Sequence, residues 1–352
     1  MDPVPWRDAW HEALYAVDRG FYVVRGGPAA HFTTAAHGPT GAALARALLA
    51  LPDHPVRVVV DLGAGRGELA THLVAALEWS VPHAPDRTEP TTRPAGDLEW
   101  SLPHAPGRTE PTTRVVAVDV VDRPEGLDDR VEWLRSPGGA ALPDALHHLD
   151  DALVIAHEWL DVVPCTVAEV GPDGVLREVL VDASTGEELL GPRLSGADLR
   201  WVEQHWPTSQ PGDRVEVGLD RDRAWADLVA RVGSGTLVAV DYGHTAPGRP
   251  TRGTLTAYAG GGLTVPVPDG SCDITAHVAM DTLDADVVQT QRDALRALGL
   301  SGATPSHELA TSQPLAYVAG LERASAEARL LDPDGFGGFW WAVKSIQRAV
   351  VP

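Results

Sequence analysis

Lysine is almost missing from this chain. Lys344 stands alone among 28 basic residues, and the others are arginine. That bias reads as codon composition rather than function. Nowhere do basic residues form a run, and 49 acids against 28 bases leave a net charge of −21. Such a surface repels phosphate backbones, so no nucleic-acid partner is expected. Cysteine is nearly as scarce: Cys165 and Cys272, far apart, make neither a disulfide framework nor a four-ligand zinc site. His147-His148 has no carboxylate or cysteine at ligand spacing and reads as a solvated helix end, so no metal is expected. Apolar runs stop short of the roughly 18 residues that span a bilayer, and residues 1–6 show no basic segment leading into an apolar one. The expectation is a protein of the reducing cytoplasm with no membrane association.

What is present suffices for a large folded body. A chain of 352 residues, 44% of them hydrophobic, has room for two domains or for one core with an added lobe. Residues 77–93 and 98–114 are identical at fifteen of seventeen positions, at an offset of 21. Two copies cannot stack into a solenoid, and seven prolines within 78–114 leave no helical or strand period. Residues 77–114 are expected to be a duplicated, disordered surface loop.

Residues 56–61, VRVVVD, read as a buried parallel strand. After Asp61 come Gly63, Gly65 and Gly67, then Leu69, Leu73, Val74 and Leu77 at helical spacing. Strand, glycine turn and helix bring backbone N–H groups up to a nucleotide-like ligand. A dinucleotide fingerprint would set its third glycine three residues after the second; Glu68 stands there, which argues against NAD. The form Asp-x-Gly-x-Gly-x-Gly instead resembles motif I of class I S-adenosyl-L-methionine (SAM) methyltransferases.

A SAM site needs a second carboxylate at the end of the next strand, for the ribose hydroxyls. Residues 115–119, VVAVD, supply Asp119, with Asp122 as a competitor. Asp119 lies 52 residues after Gly67; taking out one 21-residue repeat leaves 31, close to a strand–helix–strand unit of about 30 residues. The duplication therefore sits inside that connection. Residues 130–134, 152–156 and 236–241 read as further strands. Asp61, Asp119, Glu158 and Asp241 then fall at the carboxyl ends of strands, where ligands of such sheets bind. The expected fold class is α/β: a doubly wound, mostly parallel, Rossmann-like sheet with an inserted α+β lobe.

Several segments together resemble one family, the MidA-type SAM-dependent methyltransferases, which include the arginine methyltransferase of mitochondrial complex I assembly. They are Gly20-Phe21-Tyr22, Phe32-Thr33-Thr34, the glycine turn, residues 157–164 (HEWLDVVP), Asp241-Tyr242-Gly243-His244, residues 253–258 (GTLTAY) and residues 273–278 (DITAHV). The resemblance implies SAM as cofactor, held by Asp61, Gly63, Gly65, Gly67, Asp119 and Thr34. It also implies a protein arginine as methyl acceptor. The chain departs from the family at His157, where asparagine is usual, and at His31 and His37, where an aspartate and a glutamate are often found.

Transfer to an arginine nitrogen requires carboxylates that pair with the other nitrogens and orient the reacting one. Glu158 is assigned that role, with Asp161 assisting; His157, Trp159 and His244 are placed in the substrate pocket. Structural readings stand beside these: Glu158 as a helix cap, Asp161 as a structural acid, His244 as a lid, His277 as a core histidine. Trp340 and Trp341 read as packing of a C-terminal strand. Residues 165–170 and 175–181 read as a hairpin, and 197–206 and 222–232 as helices. Helices near 40–51 and 285–298 are expected to flank the sheet. The organisation expected is an N-terminal helical or lid segment 1–55, a first core half 56–161, a substrate lobe 162–235, and a second core half 236–352 with an insertion at 242–284. Two other functions stay open: methyl transfer to a small-molecule oxygen or nitrogen, and a SAM-binding assembly factor without catalysis.

Overall fold

The computed structural model describes residues 2–24, 34–79 and 109–348. The chain begins with β1 (Val4–Pro5), α1 (Trp6–Tyr15), α2 (Phe21–Val24) and α3 (Gly38–Leu49). Then come β2 (Val56–Leu62), α4 (Glu68–Trp79), β3 (Thr109–Asp119), β4 (Val131–Arg135) and β5 (Ala152–His157). A second group is β6 (Thr166–Val170), β7 (Leu176–Val181), β8 (Glu188–Arg193), α5 (Gly196–His205), β9 (Arg214–Val217) and α6 (Leu219–Ala230). After β10 (Gly235–Asp241) follow the short strands β11 (Gly243–His244), β12 (Thr256–Ala259), β13 (Gly262–Thr264), β14 (Asp273–Thr275) and β15 (Val278–Ala279). The chain closes with β16 (Val287–Thr290), α7 (Gln291–Ala297), α8 (His307–Ser312), α9 (Pro314–Leu330) and β17 (Trp340–Ile346).

Seven strands form the main sheet in the order β16-β17-β10-β5-β2-β3-β4. From β10 to β4 all neighbours are parallel; β17 runs antiparallel to β10, and β16 antiparallel to β17. β5 and β10 are buried along their whole length, which is why their sequences are near-continuous apolar runs. On one face Leu44 and Leu48 of α3, Leu73 of α4 and Leu330 of α9 pack with Trp341 of β17. On the other, Ala224, Trp225 and Leu228 of α6 pack with Val154, Leu237 and Met280. The protein is thus α/β with a mostly parallel central sheet.

β6, β7 and β9 form a second, antiparallel sheet that β8 and β1 join, both on β7. Val4 and Pro5 register with Val181 and Leu180, so the start of the chain joins this sheet. Residues 222–232 were expected to form a helix of the lobe. That helix lies instead against the main sheet as α6, because the apolar stripe of Ala224, Trp225 and Leu228 fits its uncovered face. A helix was expected near 285–298, and it is present only in the second half of that span. The β-branched Val287, Val288 and Thr290 pair with β17 as an edge strand, and α7 starts only after Thr290, whose hydroxyl accepts from the Asp293 N–H. His147-His148 lies outside any helix. β3 begins at Thr109, inside the second repeat copy, rather than at Val115. Most of the expected duplicated loop (80–108) and the segment with His31, Phe32 and Thr33 lie outside the described residues.

Candidate functional site

From β2 the chain winds outward to β3 and β4, then returns to place β5 on the other side of β2. The loops that follow β2 and β5 therefore diverge and leave a crevice, the usual ligand position in such sheets. Gly63, Gly65 and Gly67 make the first loop, with φ of +74°, +61° and +84°, a region that side chains with a Cβ rarely enter. A Cβ on Gly67 would stand 2.6 Å from Leu127 Cδ1, so this position is also close-packed. Asp61 is buried, and its carboxyl accepts from the Ala70 N–H in the first turn of α4; burial pushes it up to about 7. That contact ties strand to helix beneath the turn and leaves the Asp61 Oδ2 without a partner.

Asp119 ends β3 and faces the same loop. Its Oδ2 accepts from the Gly65 N–H at 2.8 Å and its Oδ1 from the Val120 N–H at 2.7 Å. Burial raises it to about 6 against the pull of these donors. Asp122 pairs with Arg135 at 2.9 Å and lines a cleft on the outer side of the turn rather than facing Gly65.

A cavity of about 90 Å³ lies between the loops, lined by Gly63, Gly65, Asp119, Glu158 and Trp159, with Tyr15 and Tyr22. A larger cleft of about 800 Å³ borders the outer side of the turn at Arg66, Gly67 and Glu68. Trp159 is fixed by its indole N–H donating to the Gly139 carbonyl at 3.2 Å.

Glu158 directly follows β5 and takes φ +53°, a strained backbone for a residue with a long side chain. Its Oε1 has no hydrogen-bond donor. His157 Nδ1 is 3.3 Å away, yet the two are not an ion pair. Burial lowers the imidazole to about 4, while burial, then Asp161 and Asp273, raise the carboxyl to about 8. Both are neutral at pH 7.

Three more acids stand close by and are buried: Asp161, Asp241 and Asp273. Asp161 accepts from the Thr275 hydroxyl at 2.8 Å, and Asp241 from the Leu160 N–H at 3.0 Å. Each leaves its Oδ1 without another donor, and Asp241, pushed far up by burial and by Asp161, shares its proton with that neighbour. Asp273 accepts from the Tyr22 hydroxyl at 2.5 Å and is raised to about 7 by burial. Among the described residues none of the four acids is ion-paired with a lysine or arginine. Arg221, itself 1% exposed, donates to backbone carbonyls here, those of Asp161 (2.7 Å), His277 (2.8 Å) and Val163 (3.2 Å), and its charge pulls the Asp161 carboxyl down against burial.

The structure therefore brings Gly63, Gly65, Asp119, Glu158 and Trp159 to one cavity, with His157 and Asp161 behind Glu158. It does not bring His244 or Thr34 there. His244 packs edge-on against Trp206 and its Nδ1 accepts from Arg249 at 2.9 Å; burial and that arginine press it down to about 3. The Thr34 hydroxyl meets His37 Nδ1 at 2.9 Å. Trp341 is fully buried, and its N–H donates to Gln291 at 2.9 Å. Tyr15, Tyr22, Asp273 and Arg221 were not singled out from the sequence. Tyr22 and Asp273 lie inside segments that carried the family resemblance, whereas nothing local marks Arg221. Among the described residues no histidine, cysteine, aspartate or glutamate group is arranged to hold a metal ion, and no helix is long and apolar enough to cross a membrane.

No curated protein matches the chain. A COG1565 superfamily member from Burkholderia thailandensis, solved with S-adenosyl-homocysteine bound, is similar in fold: TM-score 0.68, 21% identity, 99% of this chain and 89% of that one. A second COG1565 structure from that organism gives TM-score 0.67 at 20% identity, over 98% of this chain and 88% of that one. The model of a family described as "putative S-adenosyl-L-methionine-dependent methyltransferase" matches residues 41–299, well over half of the chain. The glycine turn, Asp119 and the sheet that carries them are thus those of a family member: the chain belongs to this family of SAM-dependent methyltransferases, with SAM as its cofactor.

Proposed function

We propose that the protein transfers the methyl group of SAM to a guanidinium nitrogen of an arginine in a cytoplasmic protein substrate. One observation carries the reading. Glu158 lines the cavity with its buried Oε1 unpartnered, beside three further buried acids, none of them ion-paired with a described lysine or arginine. Such a site is short of one cation with several N–H donors, which is what a guanidinium provides. The resemblance to MidA-type methyltransferases supports the same acceptor, and the bound S-adenosyl-homocysteine of the Burkholderia structure supports the cofactor's identity.

The residues fit SAM. Each Asp119 oxygen already receives a backbone N–H and retains acceptor capacity for a hydroxyl of the sugar. The glycine turn lets backbone come close, and Glu158 offers a carboxylate to a positive centre. When bound, SAM supplies an electrophilic methyl group on a sulfonium sulfur. Glu158 holds the acceptor by hydrogen bonds to its nitrogens, and the surrounding acids keep the positive charge on that side. The reacting nitrogen sheds one proton as its bond to carbon forms. Glu158, at about 8 in the free protein, is a base able to take it. Trp159, Tyr15 and Tyr22 wall the cavity and keep water from the reacting atoms.

Incubation of the protein with methyl-labelled SAM and the cell's own proteome tests the proposal. Labelled protein that yields methylarginine on hydrolysis is expected. SAM binding by calorimetry without any labelled protein would overturn it.

A further inference from the structure

Residues paired directly across neighbouring strands share one face of a sheet. In the sheet β13-β12-β14, Leu263 pairs with Tyr258 and Tyr258 with Asp273, so the three form one row. The alternate residues Ala257 and Ile274 point the other way and are fully buried. Burial changes steadily along the row. Asp273 is 7% exposed and holds the Tyr22 hydroxyl, Tyr258 is half-buried, and Leu263 is 70% exposed. Tyr258 faces the acids: after burial, Asp161, Asp273 and Glu158 are what raise its phenol. The row therefore runs from the acid cluster out to solvent.

Its outer end is unusual for so acidic a chain. Residues 259–265, AGGGLTV, carry no charge, and Val265 is 73% exposed. Strands at sheet margins are commonly blunted by charges, and here none is present. The hairpin is held firmly from behind. Glu216, 1% exposed, accepts from the N–H groups of Thr254 (3.0 Å) and Leu255 (3.2 Å), and the Thr254 hydroxyl accepts from the His277 N–H at 2.9 Å.

We infer that this row is the docking surface for an extended segment of the acceptor protein, with an apolar side chain on Leu263 and Val265 and the methylated arginine at Glu158. The inference rests on the arginine reading above and names what flanks that arginine. Strands lie about 4.8 Å apart, so Leu263 is about 10 Å from Asp273, a distance an extended chain covers in about three residues. The occupant is a polypeptide because the surface continues beyond the acids, and a basic one because the cluster and the net charge of −21 attract cations.

Randomised peptides of the form Ac-X-X-X-Arg-X-X-X-NH2, methylated with labelled SAM, test the inference. The wild-type protein is expected to enrich Leu, Ile, Val or Phe at one position about three residues from the arginine. Leu263→Asp, at an exposed site, is expected to erase that preference and to weaken binding of the best peptide about tenfold by fluorescence anisotropy, with SAM affinity and melting temperature unchanged. An unaltered preference and affinity in Leu263→Asp overturns the docking surface and leaves the arginine reading standing. Failure of the wild-type protein to methylate any arginine peptide while it binds SAM overturns both.

Discussion

Glu158→Gln separates the charge of this side chain from its shape. In the free protein the carboxyl stands at about 8 instead of 4.5, raised first by burial and then by Asp161 and Asp273, and its Oε1 meets no donor. The glutamine fills the same space, cannot ionise, and keeps one acceptor oxygen where the carboxylate has two, its NH2 group facing a guanidinium that has only donors to offer. A hydrogen bond to a charged group contributes about 1.5–3 kcal/mol, so loss of one such contact removes at least that much, or roughly 10- to 100-fold in kcat/KM. The wild-type pH profile of kcat/KM should rise toward a plateau above about 8, because the ionised form pairs with the substrate, and this limb should be absent in Glu158→Gln. Stability supplies an independent reading. Between pH 4.5 and 8 the folded protein retains a proton here that the unfolded chain has lost, so the wild type loses stability as pH rises through that window. The amide removes this penalty, on the order of a few kcal/mol for a side chain still 24% exposed. The variant should therefore melt several degrees above the wild type at pH 9 and with it at pH 4.5. Unchanged kcat/KM with an unchanged pH profile would refute the role assigned to Glu158.

Asp119→Ala strips the Gly65 and Val120 N–H groups of their acceptor and should weaken SAM binding about 10- to 100-fold by calorimetry. Gly67→Ala puts a Cβ against Leu127 at a backbone φ of +84°; a loss of about 1–3 kcal/mol in urea unfolding is expected, with weaker SAM binding. Trp341→Ala empties a fully buried site and leaves the Gln291 Oε1 without its donor, at about 3–5 kcal/mol in the same assay.

The core sheet was legible because its central strands are short apolar runs, and β2, β3, β5 and β10 each carry an acid at or beside the carboxyl end. The glycine turn, Asp119 and Glu158 are local signals of that kind, with φ constraints or strand ends that sequence alone can mark. The edge strand β16 was not, because four β-branched or polar residues ahead of a helix carry too short a pattern to separate from the helix itself. Nor was the place of α6: a stripe of Ala224, Trp225 and Leu228 announces a buried face without saying which sheet covers it. His244 shows the opposite error, a polar residue in a family-like segment whose partners, Trp206 and Arg249, come from elsewhere and take it out of the cavity. Tyr22 and Arg221 meet the acids across separations of 251 and 60 residues, which no spacing rule encodes.

Four buried acids in one place are tolerable only while most are neutral, and that condition makes the site responsive to positive ligands. Below pH 8 Glu158 carries a proton and gives a sulfonium no counter-charge; above it, the carboxylate does. SAM and S-adenosyl-homocysteine differ by that one positive charge, so their affinities compare the site with and without it. The preference for SAM over S-adenosyl-homocysteine should grow between pH 6 and pH 9, by about tenfold for each unit by which the cation draws the carboxyl down. Proton release should accompany SAM binding near pH 7, visible as a dependence of the calorimetric heat on the ionisation enthalpy of the buffer, and should be absent for S-adenosyl-homocysteine. In Glu158→Gln the affinity ratio should lie flat across the range. A flat ratio in the wild-type protein would show that the cofactor's charge sits beyond the reach of Glu158, and the acids would then answer to the acceptor alone.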